Sequence, residues 1–451
     1  MDKRSFYKTL IKITLPMMLQ NLVSSSLTLL DNLMVSSLSE AALSSVGLAI
    51  QLFGVQWMMI FGFCTGCSTF YTQFWGLRDA KSIKKVIGIA LSTCMALSIV
   101  FFIAAFCFPN QVIHLFTKDA EVALYGAQYL RYAAVNFLLI AAAQPFAVAL
   151  RATQQTRLPM YASVISFVSD VAFNYLLIFG HGGFPRLEVR GAAIATVIAR
   201  VIEFGLLLFF VFGKKNILSG KLKEFFSFDR TLLIRVYKNA AATTANETLW
   251  GSAVAIYNAA FGHMGVTAYA AYAAAINVMD LFQNMAFSLG DTTLILVGER
   301  LGRSEKKEAR DISARMLKTT LCFACLLACF ILLARRPVLG LFNLTAEGAS
   351  LAMKIVLVRA LLLPMDLTNA ILIVGVLRSG GDTRFAAVTE VSLMYLIAVP
   401  VAFLCLHFGV PIYIAVGLVK LEGVAKISIL LRRYFSGKWI NNVVGDLASD
   451  S

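Results

Sequence analysis

Four polar side chains in the first half of the chain could together hold a cation: Asp31, Asp170, Asn174 and Thr196. Asp170 and Asn174 are four residues apart, so a helix places them on one face. Two carboxylates with amide and hydroxyl neighbours could take up a proton or coordinate a sodium ion. The alternative is that each of the four makes a separate hydrogen bond to the backbone or to a neighbouring helix.

Three acidic residues of the second half, Glu247, Asp280 and Asp366, form another candidate set, for a substrate or a second ion. They lie within apolar stretches, where an unpaired charge costs several kcal/mol, so each requires an explanation. Asp366 could instead pair with Arg359, seven residues before it, and Glu247 could face a solvated cavity. If these acids are free, they favour an organic cation as the substrate.

Both sets must be positioned by the apolar stretches that contain them. Each stretch is long enough, as a helix, to cross about 30 Å of hydrocarbon. The sequence therefore predicts an all-α membrane protein with twelve transmembrane helices, at residues 9–35, 42–75, 86–108, 124–150, 158–180, 189–213, 236–261, 267–298, 314–335, 347–377, 384–408 and 410–431.

An internal repeat relates the first six stretches to the last six. The segment from Leu150 to Arg157 recurs from Leu377 to Arg384, with Leu, Arg, Thr and Arg in the same places. A second set of matches recurs 226 residues later, where Asn32, Ala42, Gly76 and Lys81 correspond to Asn258, Ala268, Gly302 and Lys307. Repeats with an even number of spans enter the membrane from the same side, which is typical of transporters with a substrate site between two halves.

The repeat predicts a six-helix lobe at 1–213, a basic amphipathic connector at 214–235 and a second six-helix lobe at 236–451. The candidate acids are not copies of one another. At the repeat offset Asp31 corresponds to Tyr257, and Asp170 corresponds to Ile397. The two lobes are therefore expected to do different work, with the coupling ion in one and the substrate or a second ion in the other.

The net charge of +15 reflects topology, since 28 of the 40 Lys and Arg residues fall on one side of the predicted spans and five on the other. The positive-inside rule then places both termini in the cytoplasm of a multi-pass protein of the plasma membrane. The basic side would attract anionic membrane lipid, and nucleic acid is not an expected partner.

Several other polar residues have a structural interpretation. Two pairs, Arg200 with Glu203 and Glu422 with Lys426, have the spacing of self-neutralising ion pairs on a helix. The two CxxC pairs at 64–67 and 322–325 lie in apolar helices with no histidine nearby, so we expect buried cysteines rather than a metal site. Pro16 could act as a hinge that moves Asp31, or could produce a static kink.

Several segments resemble the multidrug and toxic compound extrusion (MATE) family of transporters over essentially the whole chain. The matching segments are Leu15-Pro16 with Leu30-Asp31-Asn32, Gly183-Phe184-Pro185 with the segment from Val189 to Thr196, Leu150 to Arg157, Asn246 to Trp250, Val297-Gly298 with Gly302, and Leu377 to Arg384.

The resemblance implies two six-helix lobes in a V, and an antiporter that exchanges external protons or sodium for cytoplasmic, cationic, amphipathic drugs. It matches Asp31, Asp170, Asn174 and Thr196 to the family's cation site in the first lobe. Family members often carry Asn at the position of Asp170 and an acid at the position of Asn174, so the coordination role of these two residues stays open. We expect a monomer with no cofactor besides the coupling ion.

Two alternatives have other sequence requirements. A lipid-linked saccharide flippase of the same superfamily would favour a more cationic cavity for a pyrophosphate, which the buried acids oppose. An intramembrane enzyme such as a prenyltransferase would need clustered Asp-rich metal motifs at a membrane face. The sequence lacks such motifs, so a transporter rather than an enzyme is expected.

Overall fold

Every regular element in the described residues is helical. The structure, a computed structural model, describes residues 2–214, 216–340, 342 and 344–447, without the side chains of 28, 29, 32, 33, 40 and 41. The side chain of Asn32, one of the repeat matches, and the connector's Lys215 lie outside this description.

The first half contains nine helices among the described residues: α1 (Lys3–Ser36), α2 (Glu40–Gly76), α3 (Ala80–Cys107), α4 (Pro109–His114), α5 (Ala120–Ala133), α6 (Val135–Ala152), α7 (Arg157–Phe179), α8 (Glu188–Leu208) and α9 (Leu222–Phe226). The described residues of the second half form α10 (Arg230–Gly262), α11 (Val266–Gly302), α12 (Lys306–Leu339), α13 (Ala346–Ala370), α14 (Thr383–Leu393), α15 (Val399–His407), α16 (Ile412–Val419) and α17 (Glu422–Phe435). Short π-helical segments follow α8, α13 and α14, at Phe209–Gly213, Ile371–Leu377 and Met394–Ala398.

Each of the twelve predicted spans coincides with one helix or with a run of adjoining helical segments. By length and composition, eight helical stretches of the described residues could cross a membrane. The other four spans are α1, α10, α11 and the pair α16 and α17. The first three contain Asp31, Glu247 and Asp280, so the spans with the weakest membrane signal include those that carry candidate functional residues.

The chain divides into two compact units that interleave in sequence. The first unit is Leu15–Tyr71 with Asp79–Ala240, and the second is Met1–Thr14, Thr72–Arg78 and Ala241–Ser451. They differ from the predicted lobes at the start of α1, the end of α2 and the start of α10, because these long helices have residues in both units. The predicted connector belongs to the first unit.

Within the first unit, α7 packs along α8, and α3 packs along α6. The core contains Phe137, whose ring stacks on Phe53 with centroids 4.1 Å apart. The connector is held against α3, where a Cβ on Gly88 would lie 1.7 Å from the carbonyl oxygen of Phe225. Such close packing stabilises helices in lipid, where apolar burial alone gives little driving force.

Within the second unit, α11 packs against α12 and α13, and its core includes Phe261, edge-on to Tyr272 at 5.0 Å. The end of α2 crosses the end of α11 at the repeat-related glycines Gly76 and Gly302. A Cβ on Gly76 would lie 2.2 Å from the carbonyl oxygen of Glu299, and one on Gly302 would lie 2.0 Å from that of Gln73. Glycine at both positions lets the two backbones touch.

Candidate functional site

Helices α1 and α7 bring three of the four predicted cation-site residues together. The Asn174 amide donates one hydrogen bond to Asp31 Oδ1 at 2.8 Å and another to Asp170 Oδ2 at 2.9 Å. Asp170 and Asn174 are buried, with 0% and 1% of their surfaces exposed. The spacing of four residues on α7 therefore does place both side chains on one face, and that face meets Asp31.

Two oxygen atoms in this cluster have no hydrogen-bond partner among the residues that the structure describes. They are Asp170 Oδ1 and Asn174 Oδ1, both buried. Buried polar atoms are normally satisfied, so two adjacent exceptions require an explanation. Among the described residues, neither Asp31 nor Asp170 forms an ion pair. The cluster thus has carboxylate and amide oxygens, the atoms that bind a hard cation or a proton, without a cationic partner of its own.

Thr196, the fourth predicted residue, lies on α8 and makes different contacts. Its hydroxyl donates to the carbonyl oxygen of Ala192 at 3.0 Å. Its side chain also meets the phenol of Tyr129, a buried residue that the sequence did not single out. Among the described residues Thr196 therefore makes no hydrogen bond to the two acids, and its hydroxyl contacts Ala192 and Tyr129 instead.

Arg200, the basic residue that is close enough to Asp31 and Asp170 to influence them electrostatically, is itself paired with an acid. Arg200 pairs with Glu203 at 2.6 Å, which confirms the predicted structural pair. Glu203 also accepts a hydrogen bond from Ser163 at 2.9 Å, and Ser163 accepts one from the Gln20 amide at 2.9 Å. Gln20 and Ser163 are uncharged and lie 143 residues apart in the sequence, so helical spacing could not predict their contact.

Glu247 on α10 is paired with a cation. The Arg378 guanidinium lies 2.5 Å from Glu247 Oε1, and the Arg378 side chain is 2% exposed. The neighbouring Asn246 donates to Glu390 at 2.8 Å. Lys426 lies 2.7 Å from Glu422, as its spacing predicted, and 3.9 Å from Glu390, so Glu390 has two contacts, with Asn246 and with Lys426.

Asp366 on α13 has two cationic partners. Its Oδ2 lies 3.3 Å from Arg359 and 3.1 Å from Lys420, so the predicted pairing with Arg359 is present and is joined by a residue from the end of α16. Arg359 also donates to Gln283 on α11 at 3.0 Å. The charge of Asp366 is therefore already balanced within the second unit.

Asp280 on α11 differs from the other two acids of its set. It is exposed, and no ion pair or hydrogen bond joins it to another residue in the part of the chain that the structure describes. Arg359 and Lys420 are close enough to influence it electrostatically. The three acids are thus not one group: Glu247 and Asp366 are held in separate ion pairs, and Asp280 keeps an available carboxylate.

The cysteines agree only in part with the sequence predictions, and Pro16 lies within a continuous helix. No group of three or more His, Cys, Asp or Glu side chains in the described residues could hold a metal. Cys64 and Cys67 are buried as predicted, but the prediction is wrong for Cys322 and Cys325, which lie on an exposed face of α12. Pro16 lies inside α1, which continues as a helix on both sides of it. Its hinge role stays a prediction.

Comparison with known proteins gives consistent matches over most of the chain. The MatE family model matches residues 16–176 and again 242–404, so the second match begins at the repeat offset of 226. A probable multidrug resistance protein of Bacillus subtilis, YoeA, is 24% identical over 94% of this chain and 94% of its own. A probable multidrug resistance protein of Thermotoga maritima, NorM, is 24% identical over 97% of this chain and 94% of its own. A crystal structure of a MATE protein in complex with MaL6 superimposes with a TM-score of 0.87, covering 96% of this chain and 97% of the other at 18% identity.

Proposed function

The chain belongs to the MatE family of transporters, and from this premise we propose that it exports cationic amphipathic compounds by exchanging them for an inward-moving proton or sodium ion. The names of the relatives from Bacillus subtilis and Thermotoga maritima support multidrug resistance as the physiological setting. The twofold match to the family model supports alternating access by a duplicated bundle.

The cluster of Asp31, Asp170 and Asn174 carries the proposal. Two carboxyl groups share one amide donor, and two buried oxygens in the cluster lack partners within the described part of the chain. Two like charges in a poorly solvated pocket repel each other, so a bound cation would stabilise the pair. A proton would bind a carboxylate, and a sodium ion would also use the free amide oxygen of Asn174. Either cation would complete the site.

Asp280 is the acid we propose for substrate recognition. Glu247 and Asp366 have cationic partners, so an incoming organic cation would gain less from them than from the unpaired carboxylate. The carboxylate of Asp280 attracts a cation, and an amphipathic ligand adds apolar contacts. The substrate class proposed is therefore an organic cation with a substantial apolar part.

The one-sided distribution of Lys and Arg supports an orientation in the plasma membrane with both termini in the cytoplasm. In that orientation the substrate leaves the cell while the coupling cation enters. We propose that the working unit is a monomer, because the repeat supplies both halves of a transport pathway in one chain.

Transport into inverted membrane vesicles tests the proposal. A cationic dye is supplied outside, and an outward proton gradient or an outward sodium gradient is imposed separately. Dye accumulation driven by one of the two gradients is expected for the wild-type protein and is expected to be absent for Asp31→Asn. Equal accumulation with no gradient, or normal gradient-driven accumulation by a correctly inserted Asp31→Asn protein, would contradict the proposed coupling.

A further inference from the structure

The segment that follows α17, residues 437–447, is folded back onto the second unit, and we name it the strap. Its Trp439 is fully buried and stacks on Tyr434 with ring centroids 5.8 Å apart. The Trp439 indole donates to the carbonyl oxygen of Tyr434 at 3.0 Å. The backbone of Trp439 presses on Gly380, where an added Cβ would lie 1.7 Å from the Trp439 oxygen.

A single side chain, Gln73 near the end of α2, joins the strap to two other segments. The Gln73 amide donates to the carbonyl oxygen of Ser379 at 2.7 Å and to that of Asn441 at 3.1 Å. Its own amide oxygen accepts from the backbone of Val443 at 2.8 Å. Gln73 is completely buried, so it connects α2, the turn before α14 and the strap without competition from water.

The strap is also bound to α11. The Asn442 amide donates to the carbonyl oxygen of Gly302 and to the hydroxyl of Ser304, each at 3.1 Å. Gly302 is the residue at which α11 touches the backbone of Gln73. The strap therefore lies across the place where α2 and α11 cross, and it is hydrogen-bonded to both.

The internal repeat shows that the strap is the second copy of the connector that follows α8. Asn216 and Leu218 in the connector correspond to Asn442 and Val444 in the strap at the offset of 226. In both copies the asparagine oxygen accepts from the backbone amide two residues later, at 3.1 Å and 3.0 Å. Leu218 and Val444 are both fully buried. The copies differ in their partners. Asn216 is hydrogen-bonded to the side chain of Gln155, whereas Asn442 is hydrogen-bonded to the backbone of Gly302 at the end of α11.

We propose that the strap is a latch, which holds α2, α11 and the turn at 379–382 together in this conformation and must detach before these segments can separate. Each hydrogen bond of Gln73 and Asn442 contributes modestly, and together they are comparable with the small free-energy difference between the conformations of a transporter. Under the proposed orientation this is the cytoplasmic end, so detachment would accompany loading of substrate. The inference rests on the proposed alternating access, but its release step can be measured without transport.

The release is measured by chemical labelling of Ser379→Cys, a buried position beneath the Gln73 amide. A membrane-impermeant maleimide is added to inverted vesicles, and the mass of the peptide containing residue 379 gives the rate, independently of the native cysteines. Adding Asn442→Ala should raise that rate about tenfold, the equivalent of roughly 1.4 kcal/mol. The matched control is Asn216→Ala, the same change in the first copy, which should leave the rate unchanged. An unchanged rate with Asn442→Ala would overturn the latch.

A reversible cross-link tests whether detachment is needed for the cycle. Ser304→Cys with Asn442→Cys places two thiols where the native side chains touch. A short bifunctional methanethiosulfonate should stop dye transport, and dithiothreitol should restore it, while either single variant is unaffected by the reagent. If the cross-linked protein transports at its rate before cross-linking, the strap does not have to open and the proposal is wrong. A protein that labels as expected but moves no dye under any gradient would instead contradict the proposed function.

Discussion

The acids of the two repeat-related units have different partners: a neutral amide in the first unit, and arginine and lysine side chains in the second. Asp31 and Asp170 share one neutral amide, and neither has an ion-pair partner in the described part of the chain. In the second unit, Glu247 is bound by Arg378, and Asp366 is bound by two cations. The repeat preserved the helices and changed the charges, so the carboxylates of one copy have no ion-pair partner in the described residues, whereas those of the other are paired with Arg and Lys.

This contrast separates two kinds of buried carboxylate. A built-in ion pair fixes structure, and removing one partner is costly because the other charge stays buried. A carboxylate without a built-in partner is available to bind and release a proton or an ion, as the proposed transport cycle requires. Substitutions should distinguish the two kinds, since loss of an ion-pair partner damages stability and loss of an exchangeable carboxylate damages transport.

The largest effect is expected for neutralising the first-unit pair. Asp31→Asn should reduce gradient-driven dye efflux to the background of vesicles without the protein, because an amide of the same shape cannot bind a cation by charge. Asp170→Asn should act in the same direction. Asp311→Asn, the same change at an exposed position on α12, is the matched control and should transport normally. Normal efflux by Asp170→Asn alone would mean that α7 is not part of the cation site.

A large effect on stability, and not directly on transport, is expected when Glu247 loses its partner. Arg378→Met should lower the free energy of unfolding by up to about 3–5 kcal/mol, because it leaves a largely buried carboxylate without its partner. Thermal unfolding in detergent measures the loss, and Arg384→Met, on the exposed face of α14, is the control. Adding Glu247→Gln to Arg378→Met should recover much of the stability. A double variant no more stable than Arg378→Met would show that the pair is not the source of the effect.

The helices and the ion pairs within one helix could be predicted from the sequence, but the contacts between distant segments could not. Apolar composition and length located twelve spans, and helical spacing predicted the pairing of Arg200 with Glu203. The bond from Asn174 to Asp31 joins residues 143 apart, and that from Arg378 to Glu247 joins residues 131 apart. Such pairs depend on how helices pack, which a pattern along one helix does not encode. The strap was missed for the same reason, since its partners lie on α2, α11 and the turn before α14.

A moderate effect on substrate selectivity is expected at Asp280, which differs from Glu247 and Asp366 in having no ion-pair partner among the described residues. Asp280→Asn should weaken binding of a cationic dye about fivefold to tenfold, which corresponds to roughly 1 to 1.4 kcal/mol for the lost charge attraction. Binding of a neutral compound of similar size should stay unchanged, because it loses no such attraction. Fluorescence titration in detergent at fixed salt provides both values, and equal losses for the two ligands would remove Asp280 from the substrate site.

The smallest effect concerns an ion pair between a buried lysine and a partly exposed carboxylate of the connector. Lys84 lies 2.7 Å from Glu224 in the connector, and its hydrogen bond lowers the pKa of the Glu224 carboxyl. A lowered pKa means that the contribution to stability is present above the ordinary value of 4.5 and is lost as the pH falls through the lowered one. Proteolysis of the connector should therefore accelerate slightly on acidification. In Glu224→Gln the rate should already be raised at neutral pH, and a wild-type rate in that variant would show that the pair does not hold the connector.

Cation release on substrate binding tests the central contrast most directly. Purified protein in weakly buffered detergent is mixed with a saturating cationic dye, while a pH electrode and a sodium electrode record what is displaced. We expect the wild-type protein and Asp366→Asn to release about one cation per molecule, and Asp31→Asn to release none. Release by Asp31→Asn equal to that of the wild type, together with its loss in Asp366→Asn, would place the exchangeable cation in the second unit and contradict this account.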